Sequence, residues 1–482
     1  MNRTQTSSAA AALLMLLADG CTVGPKYQAP TPPAPPAYKE ELPKGWKEAQ
    51  PSDGALRGKW WEVFHDPALN ELEEQVSLSN QNLQAAEAQF REAVAAVSVA
   101  RSGLFPTVTS GPSITDSRPS ASMAASPPAG VASTGTYSLP IGASYAADVW
   151  GSIRRGVKAS TAAAQAASAQ LENARLLVQA ELASDYFQLH GLDGDEELLQ
   201  QTVQSYARYL ELTRNRFVGG VASDSDVAQA ETQLFTTQAQ LVDVGVERSQ
   251  LEHAIAILIG KPPVEVSIGC VPLKRLPPVV PVGVPSELLE RRPDIAAAER
   301  QVAAANEQIG IAKAAFYPSL TLTVSAGLQS SSFLDWFTWP SRLWSLGPQM
   351  AETLFDAGKR RGQLREAQAA YDATVAGYRQ TVLTAFQQVE DNLAALRILG
   401  NEAETTQAAV RSAERSLAVS TAQYKAGTAN YLQVISAQAA ALSDEKLAVD
   451  LLSRRMVASV QLIEALGGGW DASQVAEPPA WK

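Results

Sequence analysis

The chain contains Arg216-Phe-Val-Gly-Gly-Val-Ala-Ser-Asp-Ser-Asp-Val227, and 207 positions later it contains Gln423-Tyr-Lys-Ala-Gly-Thr-Ala-Asn-Tyr-Leu-Gln-Val434. An aromatic residue, a glycine and a valine coincide at this offset: Phe217 with Tyr424, Gly220 with Gly427, and Val227 with Val434. Self-similarity at a fixed offset is the sequence signature of a repeated structural unit. The match therefore indicates that the fold is a duplication.

Two further landmarks recur in the same order. Ala100-Arg-Ser-Gly-Leu-Phe-Pro106 returns as Ala312-Lys-Ala-Ala-Phe-Tyr-Pro318 at an offset of 212, and Ile153-Arg-Arg-Gly156 returns as Lys359-Arg-Arg-Gly362 at an offset of 206. Chance can supply one such match but hardly all three, so we predict two copies of a single plan.

Each copy is predicted to hold a lead helix, a pair of strands and a long helical hairpin. The first copy covers residues 69–275 and the second covers 276–470. We expect lead helices at 70–103 and 293–315, strands at about 105–119, 136–150, 318–330 and 341–355, and hairpins at about 152–259 and 358–466.

The second hairpin carries an apolar seam with heptad spacing. Val375, Val382, Val389 and Leu396 recur every seven residues, with Tyr378, Ala385, Asn392 and Leu399 between them. Spacing of this kind predicts left-handed coiled-coil packing. Small and polar residues in the seam fit a wall of many helices, and a plain two-helix coiled coil is the alternative.

Two of the predicted strands alternate apolar residues with small or polar ones. The apolar positions are Tyr137, Leu139, Ile141, Ala143, Tyr145, Ala147 and Val149 in the first copy, and Leu320, Leu322, Val324, Ala326 and Leu328 in the second. Alternation over about ten residues is typical of strands in a membrane β-barrel. The partner strands, around 107–115 and 342–354, alternate less clearly.

Four strands are too few to close a barrel by themselves. Open sheet edges are not tolerated in lipid, because their backbone groups would lack hydrogen bonds. We therefore expect several copies of the chain to share one barrel. A small soluble sheet is the alternative, although such a sheet would carry more charge on its wet face.

The N-terminus has the features of an export signal. Arg3 precedes a short apolar stretch from Ala9 to Ala18, and a membrane-spanning helix would need roughly 20 residues. We expect residues 1–20 to be a lipoprotein signal peptide whose removal leaves Cys21 as an acylated first residue. An ordinary secretory signal with an incidental cysteine is the alternative.

The composition argues against several classes of protein. The net charge is −11 without a long basic run, so nucleic-acid binding is not expected. The three histidines and two cysteines lack metal or redox spacing, so we expect no metal and no cofactor. No Walker loop and no nucleophile with an oxyanion-type loop are present in the sequence, so we predict that the protein is not an enzyme.

Several motifs spread along the chain point to a known family. They are Cys21-Thr-Val-Gly-Pro-Lys-Tyr27, Trp60-Trp61-Glu-Val-Phe64, Leu289-Glu-Arg-Arg-Pro-Asp-Ile295, Phe316-Tyr-Pro-Ser-Leu320, Leu354-Phe-Asp-Ala-Gly-Lys-Arg360 and Leu466-Gly-Gly-Gly-Trp470. Together and in this order they resemble the TolC-like outer membrane factor family, in particular its NodT-type lipoprotein branch.

The resemblance implies a mainly α fold with a transmembrane β-barrel. A homotrimer would form a twelve-stranded shared β-barrel, a long periplasmic α-helical barrel and a mixed α/β equatorial belt. Residues 21–68 would be a Pro-rich anchor and equatorial segment, and residues 471–482 a C-terminal tail. Acylation of Cys21, with palmitate among the lipids, would add a second hold on the outer membrane.

The function implied is that of the outer-membrane channel of a tripartite, RND-type efflux pump involved in antibiotic resistance. Its partners would be a periplasmic adaptor protein, an inner-membrane RND transporter and outer-membrane lipid. The duct would be a passive exit for small molecules such as drugs or toxic compounds. The exit duct of a type I protein secretion system and a soluble coiled-coil scaffold are the alternatives.

A resting duct must be shut, and the resemblance implies an acidic gate at its periplasmic end. We expect the hairpins to turn near Gly191–Gly194 and near Gly400. Alignment of these glycines at an offset of 206 also aligns Asp185 with Asp391, so these carboxylates are predicted to line the gate, with Arg397 as an ion-pair partner. Solvated carboxylates on a helix face are the alternative.

The same turns are predicted to dock the adaptor. The candidates are Leu189, Gly191, Leu192 and Gly194 in one turn, and Leu396, Arg397, Leu399 and Gly400 in the other. Leucines exposed at a turn are explained if another coiled coil packs against them. Internal packing of the turn is the alternative. His190, beside the first turn, is interpreted as a surface histidine.

Overall fold

The computed structural model describes residues 22–33, 35, 37–40, 58–118, 120, 133–280 and 288–470. The predicted signal peptide, Cys21 and the predicted tail 471–482 lie outside these residues. Within the described residues, we find no helix whose length and apolar content would let it cross a membrane.

Two very long helices dominate the structure. The α-helices are α1 Pro67–Ser79, α2 Gln81–Ser102, α3 Ser152–Val218, α4 Asp224–Leu258, α5 Leu288–Arg291, α6 Pro293–Ala314, α7 Lys359–Lys425 and α8 Tyr431–Ala465. Short 3₁₀ turns lie at Trp60–Phe64, Pro263–Glu265 and Trp339–Ser341. Both α3 and α7 have 67 residues, which corresponds to about 100 Å at about 1.5 Å per residue. Both α4 and α8 have 35 residues, so the two halves of the chain contain hairpins of the same helix lengths.

The first predicted lead helix is two helices. Asn80 ends α1 in an extended conformation, and its side chain accepts a hydrogen bond from the backbone N–H of Leu83 to cap α2. The sequence prediction of one continuous helix over 70–103 missed this capping residue. The second lead helix agrees with the prediction, since α6 covers Pro293–Ala314.

The strands form one antiparallel sheet. They are β1 Thr107–Ser110, β2 Ser113–Ser117, β3 Thr134–Ala147, β4 Ser319–Ser330 and β5 Arg342–Ala351. The order is β1 and β2 on one side of β3, then β4, then β5. The first predicted strand is split in two at Gly111-Pro112, because proline donates no ladder hydrogen bond.

The register of the sheet gives it one apolar and one small or polar face. Ala143 lies opposite Val324, and Val324 lies opposite Leu346. The same face includes Tyr137, Leu139, Ile141, Leu322, Trp344 and Met350, and the other face includes Ser138, Gly142, Ser144, Thr321, Thr323, Ser325, Ser345 and Gln349. The predicted alternation is confirmed. Among the described residues, no further strand pairs with either edge of the sheet.

The hairpin turns are not where the sequence analysis placed them. Helix α3 runs through Gly191–Gly194 and α7 runs through Gly400 without interruption, so that prediction is wrong. The turns lie at 219–223 and 426–430, where Gly220 has φ +73° and Gly427 has φ +77°. The left-handed conformation favours glycine, so the repeated segment that revealed the duplication is itself the turn.

The hydrophobic core follows the predicted seam. Tyr378, Val382, Ala385, Val389, Leu396 and Leu399 are all buried. They pack in one cluster with Trp60, Phe64, Leu182, Phe187, Leu189, Ile255, Ile295 and Leu462. Helix α3 packs against α4, α6 and α8, so that α8 of the second copy crosses the helix of the first.

Candidate functional site: helical turns, mid-helix carboxylates and the N-terminal strap

The two hairpin turns lie side by side. The Arg216 Nη1 group donates to the carbonyls of Tyr424 at 2.9 Å and Lys425 at 3.3 Å. Its guanidinium carbon also lies 4.6 Å from the centroid of the Tyr424 ring. A cation here satisfies backbone carbonyls at the C-terminal end of α7, where the helix dipole favours positive charge. The contact ties the two turns together.

The first turn exposes apolar side chains. Val218 is 86% exposed, Val221 is 68% exposed and Phe217 is 44% exposed. Behind the turns, a second apolar cluster of Tyr206, Leu210, Leu234, Tyr424, Tyr431 and Val434 supports the helix ends. The exposed group is therefore presented by a rigid support at the end of a helix of 67 residues. Apolar groups so placed are typical of an interaction surface.

The residues predicted to dock the adaptor lie elsewhere. Leu189, Leu396 and Leu399 are buried in the main core, and Gly191, Leu192, Gly194 and Gly400 lie inside α3 or α7. A Cβ atom on Gly191 would lie 2.7 Å from Ser453 Oγ, so this glycine permits close packing of α8 on α3. The alternative, that these leucines pack inside the protein, was therefore correct for Leu189, Leu396 and Leu399, although they lie within helices and not at a turn.

The predicted gate carboxylates lie far from the turns. Asp185 and Asp391 precede the ends of α3 and α7 by 33 and 34 residues, which is about 50 Å along each helix. The prediction that they line a constriction at the turns is therefore wrong. The helices begin and end 207 positions apart, and at this offset Asp185 corresponds to Asn392 and Asp391 to Ser184.

The two carboxylates also differ in environment. Burial, with a contribution from nearby Glu181, raises the pKa of Asp185 to about 6. Asp391 is exposed and accepts a hydrogen bond from Gln387 at 3.3 Å. Within the described residues, no hydrogen bond or ion pair joins Asp185 to Asp391, which fits their different faces. The sequence alignment at 206 was one residue out of register, and one residue is about 100° around a helix.

Arg397 has a partner, but not the predicted one. Its Nη2 group contacts Glu40 Oε2 at 2.6 Å. The backbone N–H groups of Lys39 and Glu40 donate to the Glu390 carboxylate at 2.6 and 2.9 Å. Arg397 and Glu390 therefore hold the N-terminal segment on α7, and the prediction that Arg397 pairs with a gate carboxylate is wrong.

The segment that we call the strap comprises the described residues between 22 and 40. At its start, Val23 N–H donates to the Trp150 carbonyl at 3.2 Å, just after β3 ends. Arg155 makes a buried ion pair with Glu307 at 2.8 Å and donates to the Pro25 carbonyl at 3.2 Å. The strap thus runs from the helical end of the sheet to mid-length of α7.

A polar cluster holds the segment 266–273 against the first hairpin. The buried Asp193 carboxylate accepts hydrogen bonds at 2.8 Å from His190 Nδ1, Arg248 Nε and the Val271 N–H. Burial alone would raise the pKa of Asp193, but these donors hold it below its ordinary value. His190 is 5% exposed, so its interpretation as a surface histidine is wrong.

Asp193, Glu196 and Cys270 bring oxygen and sulfur atoms within 4.8 Å of one another. Their chemistry does not fit a metal. The Asp193 oxygens are occupied by three donors, and burial, followed by nearby carboxylates, raises the pKa of the Cys270 thiol to about 11. A metal would require the thiolate. We assign the cluster to holding the chain together.

Comparison with known proteins identifies the family that shares this architecture. Residues 72–261 and 284–468 match the family described as outer membrane efflux protein. The solvent efflux pump outer membrane protein SrpC of Pseudomonas putida is 31% identical over 464 residues, which are 96% of this chain and 98% of SrpC. The outer-membrane channel OprN matches with a TM-score of 0.85 at 29% identity, covering 93% of this chain and 100% of OprN.

The structure of VceC from Vibrio cholerae matches with a TM-score of 0.79 at 29% identity, over 86% of this chain and 99% of VceC. The fold is thus that of a TolC-like outer-membrane channel. The chain belongs to the outer membrane efflux protein family. It is the outer-membrane channel component of an efflux pump and extends into the periplasm, as the sequence analysis predicted.

Proposed function

We propose that three copies of this chain assemble into a passive exit duct for small molecules, as part of a tripartite RND-type pump. The observation that carries the proposal is the sheet, which has one apolar face, one small or polar face and two edges with which no other strand of the described residues pairs. Three such sheets would close into a barrel that has no edges and whose apolar face meets lipid.

The polar face of the sheet favours an unselective duct. Along β3 and β4 it consists of small, uncharged residues such as Ser144, Thr323 and Ser325. Without fixed charge or a deep pocket, this strip would not select among solutes. Discrimination between drugs or toxic compounds, and the energy for transport, would then come from the inner-membrane transporter.

The proposal is tested by reconstitution and by deletion. The purified protein should migrate as a cross-linked trimer, should conduct ions across a planar bilayer, and its deletion should sensitise cells to small toxic compounds. A protein that conducts as a monomer would overturn the shared barrel. Loss of a secreted protein with unchanged drug sensitivity would favour the type I secretion alternative.

Adaptor docking is proposed at the observed turns. The exposed Val218 and Val221 in the first turn, beside the second turn at 426–430, offer the surface expected for contact with another coiled coil. Photo-cross-linkers at Val218 should capture the adaptor in cells. Cross-linkers at the exposed Ile398, mid-length in α7, should not capture it. Capture only at Ile398 would contradict docking at the turns.

Lipid anchoring at Cys21 remains a proposal that the strap supports. Val23 is fixed beside Trp150, whose ring stacks on Tyr317 at 4.7 Å at the helical end of the sheet. Aromatic residues in such positions favour the membrane interface, so an acyl chain two residues earlier would reach lipid. Metabolic labelling with palmitate should mark the wild type and not Cys21→Ser; labelling of both would refute the site.

A contribution of Asp185 and Asp391 to ion preference also remains a proposal, now at mid-length of the helices. A trimer would contain six of these carboxylates, and fixed negative charge in a duct favours cations. Replacing both residues with Asn should lower the cation preference of the open channel. Unchanged reversal potentials would identify them as solvated helix-face groups.

A further inference from the structure

The outer end of the sheet carries exposed aromatic side chains around one arginine. The connection between β4 and β5 lies at the end of the sheet opposite the long helices. We call Leu334, Phe337, Trp339, Arg342 and Trp344 the rim cluster. Its apolar members are highly exposed, from Phe337 at 66% to Leu334 at 88%. Exposure of several large apolar side chains to water is energetically unfavourable, so an apolar partner is expected to cover them.

The rim cluster is displayed by a well-braced loop. The hydroxyls of Thr338 and Ser341 both donate to the Asp335 carbonyl at 2.6 Å. Trp336 is buried and lies 5.6 Å from the Tyr137 ring of β3. The exposed rings therefore have a fixed support and a defined geometry.

Arg342 has an unusual setting for a cation. It stands on the apolar face of the sheet, opposite Leu328 and two positions before Trp344. Its guanidinium carbon lies 3.2 Å from the centroid of the Trp339 indole, and its Nε group donates to the Trp339 carbonyl at 2.8 Å. Among the described residues, no carboxylate forms an ion pair with Arg342.

We propose that the rim cluster binds the phosphate of a lipid headgroup in the outer leaflet. Stacking and the Nε bond fix the guanidinium, and its Nη groups can then donate to phosphate oxygens in the fork geometry that arginine favours. The proposal rests on the membrane location of the sheet.

Continuity of the apolar face argues for lipid as the source of the phosphate. Below Arg342 the same face continues through Trp344, Leu346 and Met350, all exposed. Acyl chains attached to a bound headgroup would lie along this row. A free phosphate or a soluble peptide would leave the row uncovered.

Lipid retention by the detergent-purified trimer tests the proposal. Wild type and Arg342→Gln are mixed with equal amounts of phosphatidic acid and phosphatidylcholine, and retained lipid is counted by native mass spectrometry. Wild type should retain the phosphatidic acid preferentially, and Arg342→Gln should lower that retention about tenfold. The matched control, Arg118→Gln, removes the other arginine near the outer end of the sheet and should retain lipid as wild type does.

Two further variants keep the test decisive. Trp339→Leu keeps an apolar side chain but removes the stacking surface, so retention should fall to an intermediate level. Arg342→Lys keeps the positive charge but lacks the forked guanidinium, so it should also retain less phosphatidic acid than wild type. This variant replaces Arg342→Gln in the test if Arg342→Gln does not assemble. Single-channel conductance should be unchanged in all of them, because Arg342 lies on the lipid face.

Three results would overturn the site. Equal losses in Arg118→Gln would mean that only overall charge matters. Displacement of the lipid by an equal concentration of inorganic phosphate would mean that the site recognises the free ion. Greater retention in Asp116→Asn than in wild type would mean that in the wild type Arg342 pairs with the Asp116 carboxylate of a second copy. Absence of conductance in the wild type would instead refute the proposed duct and leave this result standing.

Discussion

Helices α3 and α7 have equal lengths and very different surroundings. Each has 67 residues, but 24 residues of α3 are buried against 12 of α7. Helix α3 is crossed by α8 of the other copy and by the segment 266–273. Within the part of the chain that the structure describes, α7 packs along α6 and α8, and the strap contacts it at mid-length. The two long helices therefore share their length and differ in how much of their surface the chain itself covers.

Corresponding positions show the same contrast. At the offset of 207, the buried Asp193 corresponds to Gly400, around which nothing lies within 4 Å of an added Cβ. Gly191, packed against Ser453, corresponds to Ile398, which is 53% exposed. A neighbouring copy in the proposed trimer would supply the missing cover for α7. The contrast can be tested with paired substitutions.

The largest effect is expected at Asp193. Its replacement by Ala leaves the buried His190 and the half-buried Arg248 without this partner, and breaking a buried pair by removing one member costs about 3–5 kcal/mol. The apparent melting temperature in detergent should fall accordingly. The control, Asp391→Ala, removes an exposed carboxylate from α7 and should change stability by less than about 0.5 kcal/mol.

The Asp193 effect should also depend on pH with a definite sign. The pKa of Asp193 lies below its ordinary value of 3.8 in the folded protein. The stabilisation is therefore fully present above that ordinary value and is lost as pH falls through the lowered pKa. The difference between wild type and Asp193→Asn should shrink below about pH 4. A difference that grows on acidification would contradict this assignment.

A smaller effect is expected from Gly191→Ala. The added Cβ would lie 2.7 and 2.8 Å from the Ser453 Oγ and Cβ atoms, and overpacking of this kind costs about 1–3 kcal/mol. Gly400→Ala in α7 should instead be neutral or stabilising by up to about 1 kcal/mol, because alanine is the better helix former. Ser453→Gly should rescue Gly191→Ala, and failure of the rescue would place the strain elsewhere.

The lead helices extend the comparison. Helices α2 and α6 both have 22 residues, but the first copy adds α1, in which Glu73 is fully buried with neither carboxylate oxygen hydrogen-bonded. Burial raises the pKa of Glu73 well above its ordinary value of 4.5. The folded protein then binds a proton that the unfolded chain has lost, so stability falls as pH rises from that value to the raised pKa.

Glu73→Gln should remove this loss. Its advantage over wild type should increase between pH 5 and pH 8, by about 1.4 kcal/mol for each unit of elevation that falls within this range. The matched control is Glu71→Gln, an exposed carboxyl on the same helix, which should follow the wild-type profile. An advantage that is the same at both values would mean that Glu73 does not titrate between them.

Sequence periodicity was sufficient for most of the fold. The heptad seam around Val382 and Val389 and the alternation along β3 and β4 both reflect which face is buried, and burial is what periodicity reports. The hairpin turns were misplaced because glycine was taken as a helix breaker at Gly191 and Gly400. Glycine inside a helix can also mark close packing, and only the positive φ at Gly220 and Gly427 distinguishes a turn.

The site was less predictable, because its contacts join distant parts of the chain. Nothing local to Arg397 indicates that it pairs with Glu40, 357 positions away. The displaced register of Asp185 and Asp391 arose because Gly194 was aligned with Gly400 at an offset of 206, whereas the two long helices are 207 positions apart. The Ser223–Asp226 capping box at the start of α4 was a usable signal, and it marks the true turn.

The smallest effect is expected at the strap, which contacts α7 at mid-length much as the segment 266–273 contacts α3. The Arg397–Glu40 pair is partly exposed, with side chains 36% and 23% accessible, so Arg397→Ala should cost no more than about 1 kcal/mol and less at high salt. Limited proteolysis should reveal it more sensitively than melting, because release of the strap exposes its backbone to cleavage. His190, the residue corresponding to Arg397 on α3, touches Asp193 instead. His190→Ala should therefore lower the melting temperature without faster cleavage of the strap, and equal cleavage of both variants would show that the strap is not held separately.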